Sequence, residues 1–193
     1  CKNIQKMSIN ELIKKRYSTR AFSNLPVENE KIQLLIEAAS WAASAQNEQP
    51  WRFMIGEKGK GEYYQSIFQS LADSNQVWAK NAPVLILVLA RKNFDYQNKP
   101  NRYAMHDTGM ATANLLLQAT DLGLFTHPMG GFNKDNIIAA FSIPDAYEPV
   151  TVIAVGYYGR VEDLPEELQK REKLIRSRKE FHELIYSGTF DGF

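Results

Sequence analysis

The amino-acid sequence predicts an α+β fold, a sheet flanked by helices, and three observations carry that reading. Residues 84–90 (Val-Leu-Ile-Leu-Val-Leu-Ala) and 150–156 (Val-Thr-Val-Ile-Ala-Val-Gly) read as strands buried on both faces, which need helices above and below them. From about Glu28, Ile32, Leu35, Ile36, Ala39 and Ala43 recur at helical spacing. Helical and strand patterns then follow one another without strict alternation, which argues against a doubly wound parallel sheet. With 193 residues, 44% of them hydrophobic, the chain can hide about 70% of its unfolded surface in one core. One domain over 1–193 is therefore expected, with residues 1–6 an extension ahead of Met7 and residues 160–193 a C-terminal arm.

Composition narrows the function classes. Lys plus Arg number 23 against 22 for Asp plus Glu, so a net charge of +1 creates no global attraction to nucleic acid or an anionic membrane. Any anion site must be local. The single cysteine, Cys1, excludes an internal disulfide and a cysteine-rich metal site, and fits a reducing, cytoplasmic compartment. The longest apolar run, 84–90, falls far short of the ~20 residues a membrane helix needs.

Taken in order, Ser8 reads as an N-cap with Glu11 completing a capping box, and Ile9, Leu12 and Ile13 form a short apolar stripe. This helix leads into Lys15-Arg16-Tyr17-Ser18-Thr19-Arg20. Guanidiniums with a hydroxyl between them offer forked and short donors that suit the three oxygens of a terminal phosphate, although most basic clusters are solvated surface. The helix from Glu28 ends in Trp41-Ala42-Ala43-Ser44-Ala45, followed by an amide run that Pro50 keeps from being helical. Residues 51–55 read as a strand. The glycine cluster 56–61 is a turn, because it has neither the Walker spacing nor the Gly-x-Gly-x-x-Gly order.

Residues 63–71 read as a helix, 73–76 as a loop, and 91–101 as a polar excursion bearing aromatics. Residues 106–122 are helical with almost no polar face, which places them in the core or in a subunit interface. After a Gly123 C-cap, 124–127 is extended and Pro128-Met129-Gly130-Gly131-Phe132 forms a tight loop whose adjacent glycines admit close backbone approach. A helix over 134–141 precedes the second buried strand. Within the charged stretch 162–179, Arg176-Ser177-Arg178 repeats the cation-hydroxyl-cation pattern of residues 16–20, and the two clusters can converge on one dianion.

No nucleophile elbow is present, His106, His127 and His182 lack metal-ligand spacing, and Cys1 is a poor nucleophile at a chain end. A chain without reactive side chains of its own points to a cofactor that carries the chemistry. Phosphate clamps, a small-residue turn able to lie against a flat ring, and a double-glycine loop suit FMN.

The segments Arg16-Tyr17-Ser18-Thr19-Arg20-Ala21-Phe22, Ala43-Ser44-Ala45-Gln46-Asn47-Glu48-Gln49-Pro50-Trp51-Arg52-Phe53 and Pro128-Met129-Gly130-Gly131-Phe132, with Gly156-Tyr157 and Arg176-Ser177-Arg178-Lys179, resemble the successive signatures of the FMN-dependent nitroreductase family. The resemblance implies a mainly antiparallel sheet and an intertwined homodimer with sites at its interface. It implies that Arg16, Ser18, Arg20, Arg176 and Arg178 hold the FMN phosphate, with backbone contacts from Tyr17. Ala43, Ser44, Ala45 and Asn47 match the segment that packs on the flavin ring of the partner subunit, where Ala43 and Ala45 depart from the family's Pro-Ser-Ser and leave backbone contacts only. Asn75 matches an amide that reaches the ring, and Pro128, Met129, Gly130 and Gly131 match the loop that points a backbone N–H at the hydride-accepting nitrogen. The implied reaction is a two-step hydride transfer from NADH or NADPH to small-molecule electron acceptors such as nitroaromatics or quinones, with protons from water. A non-catalytic flavin or nucleotide-binding module, and a flavin enzyme of the same fold with another reaction such as dehydrogenation, are the alternatives. Near-zero net charge and the lack of a continuous basic stripe count against a nucleic-acid surface.

Overall fold

A computed structural model describes residues 8–96, 98–186 and 188. Its sheet has four strands: β1 (Trp51–Glu57), β2 (Val84–Arg91), β3 (Phe125–Met129) and β4 (Tyr147–Gly156), in the order β1-β2-β4-β3 with every neighbouring pair antiparallel. The near-continuous apolar runs read from the sequence are the two central strands. β2 is buried along seven of its eight residues, and its side chains alternate between two cores. Val84, Ile86 and Val88 face one side and Leu85, Leu87 and Leu89 the other, a register shift between Val88 and Leu89 marking a bulge against β4.

Helices cover both faces. On the first side α2 (Asn29–Ser40) and α5 (Ala104–Asp121) pack Ile32, Leu35 and Ala39 against Ala111, Leu115 and Ala119. On the second, α3 (Tyr63–Ser70), α4 (Asp73–Ala79) and α6 (Lys134–Phe141) supply Tyr64, Ile67, Trp78 and Ile137. The α+β expectation is met, and the sheet is wholly antiparallel.

Several boundaries differ from the sequence reading. The first helix, α1 (Glu11–Lys15), is capped by Asn10 rather than Ser8: the Asn10 carboxamide oxygen accepts from the Leu12 N–H at 2.8 Å, leaving no place for a Ser8–Glu11 box. Residues 73–76 are helical, not a loop. Their polar run Asp-Ser-Asn-Gln is the outer first turn of α4, which is anchored by the buried Trp78 and Ala79. Pro128 and Met129 belong to β3 rather than to a loop, paired with Ile153 and Val152. β3 is an edge strand, where a proline without an N–H costs no ladder bond on its open side. α5 begins at Ala104 and is less enclosed than its composition suggests, since Met105 is 49% exposed.

The N-terminal segment is laid along the end of β4. Ser23 N–H donates to Tyr157 O at 2.9 Å and Gly159 N–H to Ala21 O at 2.7 Å. A Cβ on Gly159 would lie 2.5 Å from the Phe22 carbonyl, so this approach requires glycine. The basic residues that precede Ala21 are thereby fixed beside the sheet edge. The charged arm that follows β4 contains α7 (Glu166–Glu172) and then returns to the same place.

Candidate functional site

Three guanidiniums from opposite ends of the chain meet beside α1. Arg16 closes the helix through its N–H to Leu12 O at 2.9 Å, and its Nη1 donates to Ser18 Oγ at 3.0 Å. Arg176 donates from Nη1 to Arg16 O and from Nη2 to Lys14 O, each at 2.7 Å, where the unpaired carbonyls of a helix end attract a cation. Its guanidinium also lies 5.6 Å from the centre of the Tyr17 ring. Arg178 completes the group, and an open cavity of about 430 Å³ is lined by Ile9, Ile13, Lys14, Arg16, Arg176 and Arg178.

Among the described residues none of these three arginines has a carboxylate partner. Burial, reinforced by Arg176 and Arg178, lowers the pKa of Arg16 below the ordinary guanidinium value. Like charges gathered without a counter-charge are held at a cost that a bound anion removes. The cluster that the sequence motif and its repeat suggested is therefore assembled in space.

Arg20 and Tyr17 are engaged elsewhere. The Glu172 carboxylate, with its side chain only 1% exposed, accepts from Arg20 N–H at 2.7 Å, Thr19 Oγ1 at 2.9 Å and Tyr17 OH at 3.0 Å. The Arg20 guanidinium lies 4.0 Å from the same carboxylate. Burial, with Glu172 nearby, pushes the Tyr17 phenol up to about 12, so its hydroxyl stays protonated and donates. On the other side of this segment His127 of β3 donates from Nδ1 to Thr19 O at 2.8 Å and packs 4.5 Å from the Trp78 ring. Burial drives its pKa down to about 4, so the imidazole is neutral and structural at ordinary pH.

The second locus is the turn after α2. Ser44 is extended, and Gln46, Asn47 and Gln49 all adopt left-handed φ values, 54°, 56° and 51°. Three such non-glycine residues in one turn need outside support. Asp107, buried in the first turn of α5, accepts from Ala45 N–H at 2.9 Å, and Ser44 Oγ accepts from Gln49 N–H at 3.0 Å. The polar excursion docks on the outside: Glu48 accepts from Asp95 N–H at 2.6 Å, and Tyr96 OH donates to the Gln46 side chain. Ala43 and Ala45 contribute backbone only.

The third locus is the double glycine at the end of β3. Asn75 Nδ2 and Ala72 N each donate to Gly131 O at 3.0 Å, so α4 brings Asn75 to the loop that the sequence placed near it in function. A Cβ on Gly130 would meet nothing within 4 Å, which leaves that backbone open to approach. Met129, by contrast, is buried in the core, and Thr151 Oγ1 donates to its carbonyl at 2.9 Å. Along β3, Gly130 lies three residues, about 10 Å, beyond His127 and the basic segment it supports.

The sequence reading missed Glu172 and Asp107. Glu172 is one of many charges in the arm and carries no local signal. Asp107 carried a faint one, a carboxylate in the first turn of a largely apolar helix. Among the described residues no group of three His, Cys, Asp or Glu side chains could hold a metal, and no helix is long and apolar enough to cross a membrane.

Comparison with known proteins bears on the family and the fold. The profile of the nitroreductase family matches residues 13–157. An uncharacterized 15.4 kDa protein of Mycolicibacterium smegmatis is 32% identical over 146 residues, covering 72% of this chain and 97% of its own. A provisionally named NADH dehydrogenase/NAD(P)H nitroreductase of Methanothermobacter thermautotrophicus is 29% identical over 160 residues, 80% of this chain and 79% of the relative. Among solved structures, an oxidoreductase containing FMN superposes with a TM-score of 0.90 at 34% identity, covering 97% of this chain and 96% of that one.

Proposed function

The chain belongs to the nitroreductase family, and from that premise we propose that it is an NAD(P)H-dependent flavin oxidoreductase whose FMN phosphate sits among Arg16, Ser18, Arg176 and Arg178. The observation that carries this reading is the cavity of about 430 Å³ on which three guanidiniums converge without a carboxylate. A phosphate dianion offers the counter-charge those groups lack. Each charge-assisted bond is worth about 1.5–3 kcal/mol net, enough in sum for tight, reversible retention. Support also comes from the solved FMN-containing oxidoreductase of the same fold.

FMN, when bound, would supply the redox chemistry that links NADH or NADPH to an electron-poor acceptor such as a nitroaromatic or quinone. The chain's own residues position it. β3 separates His127 from the double glycine by about 10 Å, and the open Gly130-Gly131 backbone would be the part of the chain available to the flavin ring. Asn75 holds that loop through Gly131 O. Arg20 acts in this reading alongside Glu172 rather than as a free guanidinium.

The reading includes a homodimer. Trp41 is 81% exposed and Ile175 96% exposed, on surfaces that a second copy would cover, and the turn bearing Ser44, Ala45 and Asn47 would then reach the partner's flavin. A cytoplasmic location and a single FMN-binding domain complete the proposal. The purified protein is expected to be yellow, or to become so with added FMN, and to bleach anaerobically with NADH or NADPH. A colourless protein that cannot be reconstituted overturns the reading; a yellow protein inert to both nicotinamides leaves a binding module without this activity.

A further inference from the structure

We propose that Glu172 is a positioning residue for the phosphate site, a buried carboxylate that latches the C-terminal arm onto residues 17–20 and so brings Arg176 and Arg178 to Arg16. The proposal rests on the FMN reading above for the identity of the anion. The structural argument for the latch is independent of it.

Glu172 is the last residue of α7, and the arginines it would deliver follow within six positions. Between them the chain's own core does not hold the arm: Leu174 is 68% exposed and Ile175 96% exposed. Arg176 donates to two backbone carbonyls of α1, and Arg178 donates to Ser177 O next to it. Three like-charged guanidiniums repel one another, so the arm does not close on Arg16 by their attraction. Besides the Arg176 bonds to α1, what opposes that repulsion is the Glu172 carboxylate, which gathers the Tyr17 hydroxyl, the Thr19 hydroxyl and the Arg20 N–H, with the Arg20 guanidinium at 4.0 Å. A carboxylate with so little solvent access is retained only when its oxygens are satisfied, and here all the donors come from one four-residue segment more than 150 positions away. The same segment is fixed from the sheet side by the bond from His127 to Thr19 O. Residues 17–20 are therefore a bracket with the sheet on one side and the arm on the other.

Arm closure and phosphate binding are then linked in both directions: a ligand that needs the closed arm must also stabilise it. FMN, which has a phosphate, should close the arm, and riboflavin, which has none, should not.

The test compares wild type, Arg16→Ala, Glu172→Ala and Glu172→Gln by titrating apoprotein with FMN and with riboflavin, and by the rate of trypsin cleavage in the arm. In Glu172→Ala, FMN affinity is expected to fall about tenfold or more while riboflavin affinity stays within about twofold, and the arm is cut faster. Glu172→Gln keeps the volume and one acceptor oxygen, serves as the variant safest for folding, and should lose about threefold in FMN affinity. Added FMN should protect the wild-type arm more than riboflavin does. Equal losses for FMN and riboflavin in Glu172→Ala indicate general destabilisation and overturn the latch, as does an unchanged cleavage rate. If Arg16→Ala alone abolishes the preference for FMN, the phosphate reading stands and the latch falls. If wild type binds both flavins equally, the phosphate reading falls, and faster cleavage of Glu172→Ala still supports the latch.

Discussion

The basic cluster beside α1 and the turn over residues 43–49 both belong to the candidate site, and they are built from opposite materials. In the cluster the working groups are long side chains, Arg16, Arg176 and Arg178, brought together from the two ends of the chain and, among the described residues, without a carboxylate partner. In the turn, Ala43 and Ala45 have nothing to offer beyond backbone, and the information lies in three left-handed residues held by Asp107 from below and by the excursion from outside. A charged binding site can thus be assembled from side chains and disturbed one residue at a time. A shaped one depends on whatever keeps the main chain strained.

The largest expected effect breaks the cluster. Arg16→Ala should weaken FMN binding about a hundredfold, or close to 3 kcal/mol, in equilibrium titrations. The melting point of its apoprotein should be unchanged or raised, because the substitution also removes a like charge from beside Arg176 and Arg178. Changes at the turn should show the reverse pattern, with stability lost before any change in phosphate affinity.

Next in size is a pH effect from the bracket between the two regions. The His127 pKa, about 4 when folded, lies below the usual 6.5, so between those values the unfolded chain binds a proton that the folded chain refuses. Stability from this group is complete above about pH 6.5, declines as pH falls toward 4, and levels off below it, with a total on the order of 3 kcal/mol. Denaturant midpoints across that range should show the slope in wild type and lose this component in His127→Gln.

Asp107→Ala comes third. It leaves the Ala45 N–H without its acceptor beneath a strained turn, and should cost about 2 kcal/mol of stability, with faster amide exchange confined to residues 44–49. The smallest effect separates two adjacent glycines. Gly131→Ala places a methyl 3.0 Å from Asn75 Nδ2 and should lower apoprotein stability by about 1 kcal/mol, whereas Gly130→Ala meets nothing within 4 Å and should leave it nearly unaltered.

The same division explains what was legible in the sequence. β2 and β4 were readable because apolar residues on both faces of a short run allow little besides a central strand. The partnership of Arg16 with Arg176 and Arg178 was readable because one cation-hydroxyl-cation pattern occurs twice in a nearly neutral chain. Helix α4 was not, because its exposed first turn has loop composition while its anchors, Trp78 and Ala79, come later. Pro128 and Met129 were misplaced because a proline signals a break unless the strand is known to be an edge. The partners of Asp107 and Glu172 were not legible, since each acts on backbone 62 or 152 positions distant and nothing local marks the pairing. Left-handed φ at Gln46, Asn47 and Gln49 is likewise a consequence of that support, which the amide-rich run before Pro50 only hints at.

The central claim, that the converging arginines form an FMN phosphate site, is tested most directly by a crystal structure of the FMN-loaded protein. Phosphate oxygens are expected about 2.7–2.9 Å from the guanidiniums of Arg16 and Arg178, with Arg176 still bonded to the end of α1. An ordered FMN whose phosphate lies away from Arg16, with that guanidinium facing only solvent, would contradict it.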